Sequence, residues 1–129
     1  MKRAVIVLGA LTGTGLMLWA VLLLGSWGYE IRRLSYHQAR LQRLVERQPR
    51  LDVVTVALEE EGSPLVAAPR DEQALREAAA RWGGGRRDEI LQKGLRWSAT
   101  RAHRAGDVTY FLYYDTSGVL KDYTCVAGP

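Results

Sequence analysis

The sequence predicts an α+β protein on a membrane tether. A single N-terminal transmembrane helix continues into an amphipathic stalk, followed by a small antiparallel sheet with one or two helices. Three observations carry this reading. Residues 4–29 hold no charged side chain and are rich in Val, Leu, Ile, Ala and Gly. Leu75, Ala78, Ala79 and Trp82 recur at helical spacing. From Leu95 onward the apolar period becomes two, and Val108 to Tyr114 is an unbroken run of strand-forming residues. The expected division is 1–29 anchor, 30–48 juxtamembrane helix and 50–129 soluble domain.

As a helix, residues 4–29 would be about 39 Å long, enough to cross a hydrocarbon core of about 30 Å with some tilt. Met1-Lys2-Arg3 is a basic head of the kind that precedes secretory signals. The apolar run is far longer than the roughly 7–15 residues of a signal h-region. It also ends in Gly25-Ser26-Trp27-Gly28-Tyr29, a poor small-x-small cleavage site, so the expectation is an uncleaved anchor. Trp27 and Tyr29 suit an aromatic belt at the interface. Lys2 and Arg3 favour a cytoplasmic N-terminus, although Arg32, Arg33, Arg40, Arg43 and Arg47 weigh on the other flank. The expected location is a bacterial inner membrane, with the domain on the outer, periplasmic face. Gly9 and Gly13, with Thr12 beside them, form a GxxxG face on which a second transmembrane helix can pack closely.

In residues 30–48, Ile31, Leu34, Leu41 and Val45 fall at a and d spacing, with Gln38 at the intervening a position. The stripe is read as an interface, against the chain's own domain or a partner's, in preference to self-association. Pro49 ends the helix. Leu51 to Leu58 is rich in β-branched residues and reads as a strand, with Glu59 to Pro64 as a turn and Leu65 to Ala68 as a short return strand. Residues 70–82 read as a helix with Asp71 as N-cap, terminated by Gly83-Gly84-Gly85. Asp88 to Lys93 reads as one or two further helical turns, stopped by Gly94. Three antiparallel strands close the chain, joined by turns at Arg104–Asp107 and Asp115–Gly118.

The terminal hairpin, with its Tyr113–Leu120 run Tyr-Tyr-Asp-Thr-Ser-Gly-Val-Leu, resembles that of small outer-membrane assembly lipoproteins of the BamE type. The likeness covers the last quarter of the chain, and the lipid-acceptor cysteine of that group is absent.

The function classes narrow from here. The formal charge of +4 comes half from Lys2 and Arg3, which is not the electrostatic footprint of a nucleic-acid binder. One cysteine, Cys125, excludes an intramolecular disulfide framework. Neither His37 nor His103 has a ligand or base at the spacing that metal or nucleophilic chemistry needs. No catalytic residue, metal or cofactor is expected. The expected role is a non-catalytic accessory or scaffold subunit of a membrane or cell-envelope complex. Its partners would be other integral membrane proteins, in a hetero-complex or a homodimer, and the lipid bilayer. The alternative is a tethered module that binds a ligand or peptide on an aromatic sheet face made of Trp97, Tyr110, Tyr113 and Tyr114, with Arg96 and Arg101 as polar anchors. The anchor reading generates one expected outcome. Gly9→Leu combined with Gly13→Leu weakens transmembrane association, read by cross-linking in membranes, and leaves the soluble domain folded.

Overall fold

The computed structural model describes residues 34–128. The anchor over 4–29, its Gly9, Thr12 and Gly13 face, and Ile31 lie outside the described residues. Two compact units divide between Ser35 and Tyr36, and the second, Tyr36–Pro129, carries the fold. It is α+β. Helix α1 covers 34–46, followed by α2 (Leu51–Glu60), strand β1 (Leu65–Ala67), α3 (Glu72–Trp82), a 3-10 turn (Gly84–Arg86), α4 (Arg87–Arg96), β2 (Ala99–Ala105), β3 (Val108–Tyr114) and β4 (Leu120–Ala127). The four strands form one antiparallel sheet in the order β1-β2-β3-β4. Among the described residues no helix is long and apolar enough to cross a membrane.

All seven residues of β3 are buried, so both faces of the sheet are covered. One face carries Ala102, Phe111, Tyr113 and Val126, which pack with Leu75 and Ala79 of α3 and Ile90 of α4. The other carries Tyr110, met by His37 of α1, and His103, met by Ser63 just beyond α2. Helix pairs therefore sandwich the sheet, because a central strand with large side chains pointing both ways needs an apolar cover on each side.

Residues 51–58 are helical, and the strand expected there is corrected. The β-branched content gave a strand propensity, but the burial pattern is helical: Val54 and Leu58 are buried four residues apart, while Val53 and Val56 point outward. Thr55 accommodates the helix by donating its hydroxyl to the Leu51 carbonyl at 2.8 Å. Propensity differences are a few tenths of a kcal/mol per residue, and burying two large side chains outweighs them. In consequence β1 pairs with β2, not with 51–58.

The second correction concerns Gly94. It does not stop α4 but sits inside it, where a Cβ would lie 2.5 Å from a methyl of the buried Leu75. Without a side chain at Gly94, α4 packs directly on Leu75 of α3. The strand that was expected from Leu95 accordingly starts at Ala99, and Leu95 is an exposed helical residue.

The remaining local signals act as their chemistry requires. Asp71 Oδ1 accepts from the Ala74 N–H at 2.7 Å and caps α3. Gly106, at φ 65°, opens the two-residue turn between β2 and β3. Asp115 Oδ1 accepts from the N–H groups of Ser117 and Val119 and closes the last hairpin. That hairpin also holds α2: the Leu51 N–H donates to Gly118 O, and the Leu120 N–H donates to Pro49 O.

Two outcomes follow. Leu41 is 1% exposed, so α1 belongs to the domain core. Leu41→Ala is expected to lower the domain's stability by about 2–5 kcal/mol in chemical denaturation, where a free stalk would show no change. His103 is fully buried, donates Nδ1–H to Ser63 O at 3.2 Å and leaves Nε2 with no hydrogen bond, so burial holds its pKa below the ordinary 6.5. The unfolded chain then takes up a proton that the folded chain refuses. Stability from this residue is complete above pH 6.5 and declines as the pH falls below it. His103→Asn, which keeps a donor toward Ser63, should flatten that acid-side slope in denaturation midpoints measured from neutral to mildly acidic pH.

Candidate protein-docking surface

The residues expected to form an aromatic binding face are not brought together. Tyr110, Tyr113 and Tyr114 are each 0% exposed. Tyr113 packs under the α3/α4 layer and donates its hydroxyl to Thr124 Oγ1 at 3.0 Å, whereas Tyr110 lies on the opposite face. Burial raises the pKa of all three phenols and keeps them protonated. Trp97 is half-buried at the end of α4, with Arg96 over its ring at 5.3 Å. Arg101 turns its guanidinium onto the Thr100 carbonyl at 2.8 Å. An open aromatic face was therefore a wrong expectation. Period-two alternation divides the tyrosines between two faces, and each face has its own helical cover.

The juxtamembrane stripe is distributed differently. Leu41 is core, Leu34 and Val45 are half-buried, and Gln38 is half-buried beside them. The inward side of α1 also carries a polar clasp that the sequence did not reveal. Arg40 ion-pairs with Glu61 at the end of α2 and donates to the Tyr110 hydroxyl. The same hydroxyl is hydrogen-bonded to Nδ1 of His37. The clasp joins α1, α2 and β3 through one buried phenol. Residues 36–46 thus belong to the same compact unit as 50–128, not to a separate stalk.

One position in the middle of the β4 edge is already occupied. At Tyr123, on β4, the carbonyl accepts from Lys93 Nζ at 2.8 Å and the N–H donates to Asp122 Oδ1 at 2.8 Å. Lys93 and Asp122 are themselves paired at 3.2 Å. Both backbone groups that a new strand would need at mid-edge are occupied, one of the standard protections of an edge strand.

What stays open is the outside of the α1–α2 pair. Only residues 47–50 separate the helices, and Arg40 at the middle of α1 meets Glu61 at the end of α2, so the chain doubles back and the two run antiparallel. A cleft of about 260 Å³ between them is lined by Arg40, Arg43, Leu44 and Arg47 on the α1 side and by Val54, Ala57, Leu58 and Glu61 on the α2 side. A shallower depression of about 390 Å³, bounded by Asp52, Val53, Val56 and Glu60, adjoins it at the shared Ala57. Val53 is 58% exposed and Val56 55%. Val53, Val56 and Ala57 thus form a small apolar surface on α2, with the arginines of α1 beside Ala57 and with Asp52 and Glu60 next to the valines. The signal was present in the sequence, since Val53 and Val56 fall off the Leu51, Val54, Leu58 helical face, but reading 51–58 as a strand concealed it.

Among the described residues no group of three or more His, Cys, Asp or Glu side chains is placed to hold a metal ion. Cys125 is 1% exposed on β4, and burial pushes its thiol up to about 11, so it is a protonated small apolar residue at neutral pH.

Valine in an exposed helical position is a poor choice for an isolated domain, because it gains no burial and loses χ1 freedom. Val53→Ala with Val56→Ala is therefore expected to raise the stability of the dilute domain by up to about 0.7 kcal/mol per site, measured by chemical denaturation. Comparison with protein-family models, with curated proteins and with solved structures gives no match.

Proposed function

We propose that this chain is a non-catalytic, single-pass accessory subunit of a membrane or cell-envelope complex, anchored through residues 4–29 in a bacterial inner membrane with its α+β domain on the periplasmic side. Its work is protein–protein association, and the outer face of the α1–α2 pair is the surface that performs it. The carrying observation is the exposed pair Val53 and Val56 beside Ala57, among charged side chains of both signs. Adjacent exposed β-branched side chains on a helix are unfavourable in water and favourable once a partner covers them. Polar rims of both signs around an apolar centre are the anatomy of a specific interface. The uncharged run over 4–29 supports the membrane setting.

The test is affinity isolation of the tagged full-length chain from native membranes in mild detergent, compared with Val53→Glu/Val56→Glu. Both substitutions fall at exposed positions and leave the fold intact. The wild type is expected to bring down membrane proteins in fixed stoichiometry, and the variant to lose most of them. Recovery of the wild-type chain alone, or equal recovery with both forms, would overturn the proposal.

A further inference from the structure

The sheet has a second edge, at β1. Among the described residues β1 pairs with β2 on one side and with no strand on the other. An edge of this kind presents backbone N–H and C=O groups that another chain can pair. Leu65, on this edge, is 37% exposed, and Ala68, one residue beyond β1, is exposed as well.

A groove of about 260 Å³ adjoins the edge. One wall is β1 and its extension, residues 66–69, and the other is α3, through Ala74, Ala78 and Trp82. Ala67, Ala68, Ala74 and Ala78 contribute only methyl groups, so the space above them is left for apolar side chains of another molecule. Pro64 and Pro69 bound the edge and have no N–H to donate, and the register shifts between Leu65 and Ala67. A long strand is therefore poorly accommodated. The stretch that remains, residues 65–68, matches a short extended peptide that the groove can grip by its side chains as well.

The charges on the groove fit such a peptide. Glu77 and Arg81 both line it, both are exposed, and they stand on successive turns of α3. Glu77 accepts from the neutral Gln73 amide at 3.4 Å, and Arg81 lies over the Trp82 ring at 5.1 Å. Neither is in an ion pair among the described residues. Four residues of helix rise about 6 Å, and alternate side chains of an extended chain are about 6.6–6.8 Å apart. An acidic and a basic residue two positions apart on one extended peptide can therefore meet Arg81 and Glu77 together.

We infer that this groove binds a short extended peptide from a partner protein by strand addition to β1. A small aliphatic side chain of the peptide covers the alanines, and its acidic and basic residues pair with Arg81 and Glu77. The site is separate from the α1–α2 face and does not rest on the docking role proposed there.

The test is selection of a displayed random heptapeptide library on the full-length chain in mild detergent. Synthetic copies of the recovered peptides are then titrated by fluorescence anisotropy. The recovered sequences are expected to hold an acidic and a basic residue two positions apart, with an aliphatic residue near them. N-methylation at alternate peptide amides should weaken binding roughly tenfold, the loss of about one hydrogen bond, and methylation at the amides between should do little. Glu77→Arg/Arg81→Glu, at two exposed positions, should weaken the same peptides several-fold and favour versions with the two charges exchanged.

Recovery of no peptide above a detergent-only background would overturn the inference. Equal tolerance of N-methylation at every amide would exclude strand addition and overturn it too, as would binding indifferent to the charge reversal. A synthetic peptide of residues 63–70 of this chain serves as a further probe. If it binds as tightly as the best selected peptide, the occupant is a second copy and the partner peptide is overturned.

Discussion

Burial of β3 on both faces is the constraint on which the rest of the structure depends. Tyr110, Leu112 and Tyr114 alternate with Phe111 and Tyr113, and each is 0% exposed. Large aromatic side chains remove a great deal of surface from water, and a strand that projects them in both directions must be covered twice. The α3/α4 layer supplies one cover, pressed close where Gly94 lets the helices approach. The α1/α2 pair supplies the other. The requirement for that second cover accounts for the helix at residues 51–60. A strand there would lengthen the sheet and leave the Tyr110 face open to water.

The second cover is held by polar chemistry as well as by apolar contact. Leu41, Val54 and Leu58 provide the buried apolar surface. The chain of contacts from Glu61 through Arg40 to Tyr110 and His37 fixes the position of α1 over the sheet. A buried phenol with two polar partners is specific in a way that leucine packing is not, because displacing α1 would leave donors and acceptors unpaired. At the other end of the pair, the backbone bonds between 49–51 and 118–120 hold α2 to the last hairpin. The helix that follows the apolar N-terminal run is therefore fastened directly to the core strand.

These fastenings leave the outer face of the α1–α2 pair exposed. In the middle of the β4 edge the backbone of Tyr123 is engaged by Lys93 and Asp122, and the aromatic residues of β3 are inside. Among the described residues, three of the five large apolar side chains left exposed, Tyr36, Val53 and Val56, belong to the α1–α2 pair. A surface built this way suits docking of one helical face against another.

Several features were legible from local chemistry alone. The cap at Asp71, the apolar stripe of α3, the turns at Gly106 and Gly118 and the alternation in β3 were all determined by residues adjacent in the sequence, where backbone sterics and short-range hydrogen bonds decide the outcome. The same alternation puts Tyr110 and Tyr113 on opposite faces, but it does not say that both faces are covered. Tertiary structure decided the rest. It made 51–60 a helix against its β-branched propensity, kept Gly94 within α4, and drew residues 36–46 into the domain. Each of these choices turns on contact between residues far apart in the chain, such as His37 with Tyr110 or Gly94 with Leu75. The energy of burying large side chains there exceeds the small local preferences that a sequence displays.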